Sequence, residues 1–322
     1  MAPVKIMIDC DPGIDDALAL VFAHGHPGLD LRGITTVAGN VGLDTTTANA
    51  LAVRDYIGME DVPVVAGCAG PLLRKALSSR GVHGVSGLGA AVIPRSAAGP
   101  AAGHAADYLS GAIAAAPGQV TLVAVGPLTN VAVAVARSPQ LVTQVSDFVI
   151  MGGSAGRGNV TPAAEFNIAA DPEAAAIVFS AGWTVTMIGL DVTLQARATA
   201  AVRQRMSALG RLADDLLLPS LSGYRGLTVG PLPQPEGAPV HDVCAVARVA
   251  APEVFTCVPA RVDVETSGQW TAGMTVTDFS AAPRDCNARV AVAVDVPAFW
   301  DVVLEAFGHA AAGMPDARVT PP

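Results

Sequence analysis

The chain has 322 residues, is 51% hydrophobic and only 15% charged, and carries a formal net charge of −9. That is enough apolar material for one large α/β domain or two ordinary ones. The acidic balance, without a Lys/Arg-rich run, argues against nucleic acid or any other polyanion as the natural partner. Five scattered cysteines with no CxxC pair read as reduced, mostly buried thiols of a cytoplasmic protein. No apolar run approaches the roughly 20 residues that a membrane span needs, and "MAPVKIMIDCD" enters a strand without a signal-peptide profile.

In chain order, "VKIMID" is a β-branched run followed by Pro-Gly and the helical pattern "IDDALALVFAHGH". "LRGITTVAG" reads as a strand, "LDTTTANALAVRDYIG" as a helix and "VPVVAG" as a strand. The helix "AAGHAADYLSGAIAAA" leads to the strand "QVTLVAVG", and "PLTNVAVAVARS" opens a helix with Pro in its first turn. "DFVIMGG" is a strand, "DPEAAAIVFSAG" a helix and "TVTMIGLDV" a strand. This alternation, with nearly continuous apolar strands, predicts a mostly parallel central sheet covered on both faces by helices. Near the end "EVFTCVPARVDVET", "TAGMTVTDF" and "ARVAVAVDV" read as antiparallel strands, and "PAFWDVVLEAFGHA" as a closing helix. The economical reading of 1–322 is a single domain with a C-terminal elaboration. Long irregular stretches remain at 67–100, 151–170 and 219–240, and ligands bind at the carboxyl ends of parallel strands, so these loops share one rim.

"DCDPGIDD" packs Asp9, Asp11, Asp15 and Asp16 into eight residues. Part of this has a plain reading: Asp11 as a helix cap before Pro12, with Asp15 and Asp16 favouring the positive helix end. The fuller reading is a hard-cation site in which Asp11 and Asp16 converge and Gly13 permits a tight backbone path. An Asp-x-Asp after a first strand also suits a haloacid-dehalogenase-like phosphatase. Lys is nearly absent after Lys75, and that mechanism needs a phosphate-binding Lys. Further along, "VHDVCAVARV" sets His241 beside Asp242 at a helix start, and "MGGSAGRGNVTPAAEFNIAADPEAA" carries Met151, Asn159, Glu165 and Asn167. Asn40 ends "TTVAGN" and His83 sits among the glycines of "GVHGVSGLG". Each alone has an ordinary structural reading as a cap, a turn or a loop residue.

Together and in this order, "DPGIDDA", "ITTVAGN", "VHGVSGLG", "VGPLTN", "AEFNIAADPEAA", "GLDVT" and "PVHDVCAV" resemble the inosine–uridine-preferring nucleoside hydrolase family over nearly the whole chain. The resemblance implies a Rossmann-like core and hydrolysis of ribonucleosides to ribose and free base, in nucleoside salvage, with a tightly bound calcium ion. It implies Asp11, Asp16, Asp242 and the main-chain carbonyl of Val125 as metal ligands. Asp15, Asn40 and Asp242 would grip the 2′- and 3′-hydroxyls; Asn159, Glu165 and Asn167, with Met151 packed nearby, would hold the 5′ side. His241 would be the proton donor to the base and Asp11 the general base, with His83 on a mobile loop over the base. A homodimer or homotetramer is also implied.

The chemistry suits these residue types. Cleaving an N-glycosidic bond passes through an oxocarbenium-like sugar, whose charge surrounding oxygens stabilise more than they stabilise the substrate. Leu194 stands after "DVT" where the family often carries His, and Val85 where an acidic residue is common. Tyr224 is a candidate for the base-side wall. The His83 loop and His241 lean towards pyrimidine-preferring or broad specificity. A non-catalytic nucleoside-binding protein on the same scaffold is the alternative from another class.

Overall fold

The computed structural model describes residues 2–224 and 235–315. Strands Val4–Cys10 (β1), Leu29–Thr36 (β2), Val64–Ala66 (β3), Val120–Ala124 (β4), Asp147–Met151 (β5) and Val185–Ile188 (β6) pair in parallel. The short strands Arg197–Ala198 (β7) and Ala238–Pro239 (β8) form an antiparallel pair of their own. Phe255–Val264 (β9), Thr275–Asp278 (β10) and Ala288–Val294 (β11) extend the main sheet to nine strands in the order β10-β9-β11-β6-β5-β4-β1-β2-β3.

The two-residue period of a strand divides these side chains between two cores. Ile6, Ile8, Val123 and Val149 face a cluster containing helices Ile14–Gly25, His241–Ala250 and Val296–Gly313. Met7, Leu122, Phe148 and Ile150 face the other, which holds helices Ala105–Ala115, Thr129–Arg137 and Pro172–Phe179. Full burial on both faces is why the strands read as unbroken apolar runs.

Strand order locates the crevice. After β1 the chain moves outward to β2 and β3, then returns to lay β4 on the other side of β1. Such a reversal leaves a gap at the carboxyl ends of the two strands, where connections depart in opposite directions. Asp11 follows β1 directly and Val125 follows β4 directly, with Val125 N–H donating to the Asp9 carbonyl at 2.8 Å.

Several expectations change. The strand expected over "TVTMIGLDV" stops at Ile188, and Leu190–Thr193 is a helical turn. There Leu190 N–H donates to the Gly153 carbonyl at 3.0 Å and Asp191 accepts the Ala155 N–H at 2.8 Å, which ties the turn to the β5 loop. The closing strands are not wholly antiparallel: β11 pairs antiparallel with β9 and parallel with β6, which joins the elaboration to the main sheet. Of the stretch 219–240, residues 225–234 lie outside the described residues, while Leu218–Gly223 is helical. All five cysteines are free, but only Cys10 and Cys244 are buried; Cys68, Cys257 and Cys286 are half-buried.

Candidate active site

Helix Ile14–Gly25 starts two residues later than a cap at Asp11 requires. Gly13 is the residue before it, and the Asp16 carboxylate closes the turn by accepting from Gly13 N–H at 2.8 Å and Asp11 N–H at 3.0 Å. Gly13 has an extended backbone; its need is closeness, since a Cβ there would meet His83 Nδ1 at 2.5 Å and Asn40 Nδ2 at 2.7 Å. Asp11 is thereby released from capping. Its Oδ2 accepts the Asn40 N–H at 2.6 Å, and its Oδ1 is buried without a hydrogen-bond partner among the described residues. Asp11 sits against glycines: a Cβ on Gly126 would lie 2.7 Å from Oδ1, and one on Gly39 would collide with Oδ2.

Asn40 ties this turn together. Its side-chain amide donates to the Asp11 carbonyl at 3.2 Å and to Asp16 Oδ2 at 3.1 Å, while its Oδ1 accepts from Ser79 Oγ at 2.5 Å. Asp15, one residue along the helix, accepts backbone hydrogen bonds from His241 and Asp242. A carboxylate from the first helix thus caps helix His241–Ala250 and brings Asp242 to the strand-end rim. Carboxylate oxygens of Asp15, Asp16 and Asp242 fall within 4.8 Å of one another, all three residues buried. Asp11 is not part of that trio; Asn40 and the two glycines hold its carboxyl, which still feels the charges of Asp16 and Asp15.

Burial pushes all four carboxyls above the usual range. Asp15 and Asp16 rise to about 6. Asp11, also repelled by Asp16, and Asp242, also repelled by Asp15, are raised further. Buried, mutually repelling carboxyls are costly unless a cation compensates them. An all-oxygen donor set with the Oδ1 of Asp11 left unpartnered fits a hard divalent ion such as calcium.

The predicted sugar-side residues come from the end of β5, the loop after it and the start of helix Phe166–Ala170, which Glu165 caps. Glu165 accepts from Asn167 N–H at 2.9 Å, Ile168 N–H at 3.2 Å and Gly153 N–H at 2.9 Å, and burial raises it to about 7. Asn167 spends its amide hydrogens on the carbonyls of Val125 at 2.8 Å and Met151 at 3.0 Å, leaving its oxygen for a ligand. Asn159 does the reverse, with Oδ1 accepting from Phe166 N–H at 2.9 Å. On the base side, His241 Nδ1 lies 2.7 Å from Thr193 Oγ1, and burial pulls the imidazole down to about 3. His83 accepts the Ile14 N–H on Nδ1 at 3.0 Å and is held at about 4 by burial. Its ring meets Tyr224 edge-on with centroids 6.5 Å apart.

One pocket is lined by Asp15, Asn40, His83, Val125, Met151, Asn159, Glu165, Asn167, Tyr224, His241 and Asp242. Asp11 and Asp16 are buried and do not themselves line it. Ser79, Val82 and Phe166 also line it and were not foreseen. Nor were three supporting residues. Thr193 holds His241. Asn130 donates to Asp9 Oδ1 at 2.8 Å and the Thr36 carbonyl at 3.0 Å, and accepts from Cys68 N–H at 2.8 Å. Asp9, also bonded to Thr35 Oγ1 at 2.5 Å, anchors that network beneath Asp11. Asn130 and Thr193 stand in "GPLTN" and "GLDVT", where polar residues interrupt apolar runs; that was the available signal.

Residues 6–301 match the family model described as inosine-uridine preferring nucleoside hydrolase. The chain belongs to this family. It is 44% identical over 307 residues to the inosine-uridine preferring nucleoside hydrolase of Leishmania major, covering 94% of this chain and 97% of that one. It is 42% identical over 303 residues to the pyrimidine-specific ribonucleoside hydrolase RihA of Salmonella schwarzengrund, covering 94% and 97%. Among solved structures, a purine-preferring ribonucleoside hydrolase from Gardnerella vaginalis superposes with a TM-score of 0.88 at 33% identity, over 95% of this chain and 99% of that one. This nucleoside hydrolase is therefore an N-glycosyl hydrolase acting on ribonucleosides, and the phosphatase and non-catalytic binder readings are set aside.

Proposed function

We propose that this nucleoside hydrolase works with calcium and takes pyrimidine ribonucleosides together with inosine. The observation that carries the metal is the buried trio Asp15, Asp16 and Asp242 beside an unpartnered Asp11 oxygen, at the crevice where β1 and β4 part. Asp11, Asp16, Asp242 and the Val125 carbonyl are the residues that would hold the ion. When bound, calcium supplies a fixed positive charge that orients water and makes it easier to deprotonate.

The rest is the work of the chain. The Asp11 carboxylate takes the proton from the attacking water as general base. Asp15, Asn40 and Asp242 grip the 2′- and 3′-hydroxyls, and Glu165, Asn159 and Asn167 hold the 5′ side. Their oxygens meet the positive charge that develops on the sugar, and burial makes each worth more there than in water. His241 stands beside the base and stabilises the negative charge it takes on in leaving.

The base preference rests on the pocket wall. Val82, His83, Tyr224 and His241 face the base side, while the three tryptophans, Trp183, Trp270 and Trp300, lie outside the pocket. Relatives named for inosine–uridine and for pyrimidine specificity agree with this preference, and the purine-preferring one does not, so the pocket wall carries it. No helix among the described residues is long and apolar enough to cross a membrane. A homo-oligomer is what the family resemblance implies, and sedimentation would measure it.

The deciding experiment strips the protein of divalent ions, restores calcium or magnesium, and follows ribose released from uridine, cytidine, inosine and guanosine. Restoration by calcium with uridine and inosine preferred supports the reading. Full turnover in chelator, or in Asp11→Ala, overturns it.

A further inference from the structure

The hydrogen bond between Thr193 and His241 is 2.7 Å long, and either atom is placed to be the donor. Which one donates decides what His241 presents to a leaving base, so the inference rests on the base-side reading above. Three observations bear on it. Thr193 is fully buried and its Oγ1 has no other hydrogen-bond partner among the described residues. His241 lines the pocket, and no partner for its Nε2 is found among those residues. The pair is braced from both sides: Val240 N–H donates to the Ala196 carbonyl at 2.9 Å, and β7 pairs with β8 just beyond.

A hydroxyl carries one hydrogen, and a buried hydrogen without an acceptor costs the desolvation of that donor. If Nδ1 carried the imidazole proton, the Thr193 hydroxyl would accept and its own hydrogen would have no acceptor among the described residues. If Nδ1 is bare, the hydroxyl donates to it and the remaining hydrogen, on Nε2, faces the pocket, where a ligand can accept it. We infer that Thr193 donates to Nδ1 of His241 and so fixes the proton on Nε2, making His241 a neutral hydrogen-bond donor to the departing base.

The chemistry follows from that tautomer. A neutral imidazole that gave away its only N–H would become an imidazolate, so the proton stays on Nε2, and His241 gives the base a hydrogen bond in place of the proton transfer that the family resemblance implies. The base leaves as an anion whose charge the N–H polarises and shares, the way a neutral imidazole acts as an electrophile. A carbonyl oxygen or an aza nitrogen on the base is the matching acceptor. The ledger closes without a further reagent: the glycosidic electron pair goes to the base, hydroxide from water joins the anomeric carbon, and the water proton goes first to Asp11 and then to the base. Thr193 is a positioning residue in this scheme, acting through His241.

The test pairs nitrogen NMR of histidine-labelled enzyme with kinetics on two leaving groups, uridine and p-nitrophenyl β-ribofuranoside, whose phenolate leaves without help. The His241 resonances, assigned by their loss in His241→Ala, should show a protonated Nε2 and a bare, hydrogen-bonded Nδ1. Thr193→Val should populate both tautomers and lower uridine turnover about tenfold relative to the nitrophenyl substrate. Thr193→Ser should restore that ratio to within about threefold. A wild-type Nδ1–H signal overturns the assignment while leaving the hydrolytic reading intact. Equal losses on both substrates in Thr193→Val, or no rescue by Ser, reduce Thr193 to a packing role. Undiminished uridine turnover in His241→Ala removes the base-side role of His241 itself.

Discussion

His83 Nδ1 accepts the backbone N–H of Ile14 at 3.0 Å, so the last residue of the short helix Arg80–His83 caps the helix that carries Asp15 and Asp16. A peptide N–H can only donate, so this bond requires Nδ1 to be unprotonated. Burial holds His83 near 4, against an ordinary value of 6.5. Between those values the unfolded chain binds the extra proton, so the cap's contribution is complete above pH 6.5 and fades as pH falls towards 4. His83→Ala should cost about 1 kcal/mol at pH 7.5 and distinctly less at pH 4.5, read by urea denaturation. An equal loss at both pH values would remove the cap from the account.

The acidic cluster has the opposite sign. Asp15 and Asp16 release their protons near 6 in the folded chain against 3.8 for a free aspartate. The folded state therefore holds more protons across that window, and these groups make the metal-free protein less stable as pH rises through it. Calcium needs the carboxylates ionised, so its stabilising effect should grow from pH 5 to pH 8. Differential scanning calorimetry with chelator and with calcium reads this directly. A calcium-induced rise in Tm that is flat with pH would contradict it.

Asn130 joins three elements through hydrogen bonds to Asp9, Thr36 and Cys68. Asn130→Ala should leave Asp9 Oδ1 and the Thr36 carbonyl each short of a donor, Thr36 keeping the Gly67 N–H at 2.9 Å, and the Cys68 N–H without a partner among the described residues. The expected loss is about 2–4 kcal/mol in urea unfolding, because each orphaned buried group costs its desolvation. A change below about 1 kcal/mol would show that water takes its place.

Discrimination against deoxyribose tests the sugar grip. If Asp15, Asn40 and Asp242 hold the 2′- and 3′-hydroxyls, 2′-deoxyuridine leaves buried polar groups unpaired. Its kcat/KM should then fall at least about 100-fold below that of uridine. A difference of less than about tenfold would place the sugar's recognition elsewhere.

Much of this was legible before any coordinates. Apolar runs of strand length, each followed by a helical period, locate the parallel sheet, and "DPGIDDA" and "HD" mark the two segments that meet at its rim. Strand ends were harder. "TVTMIGLDV" stays apolar past Ile188, yet Leu190–Thr193 turns helical, with Leu190 N–H and Asp191 bonded to residues Gly153 and Ala155 far back in the chain. Pairwise roles were hidden for the same reason. Nothing local to Asp15 shows that it will cap a helix beginning at His241, and nothing near Thr193 names His241 as its partner. The sequence shows which side chains are polar; folding decides which of them face each other.

That long reach of Asp15 and Asp16 to Asp242 has a mechanical meaning. An ion lodged among them would be a stitch between the opening helix and one that forms only after most of the polypeptide has been laid down. Cutting the backbone anywhere between residues 16 and 241 would leave two fragments laced at that point, and a chelator would loosen the knot.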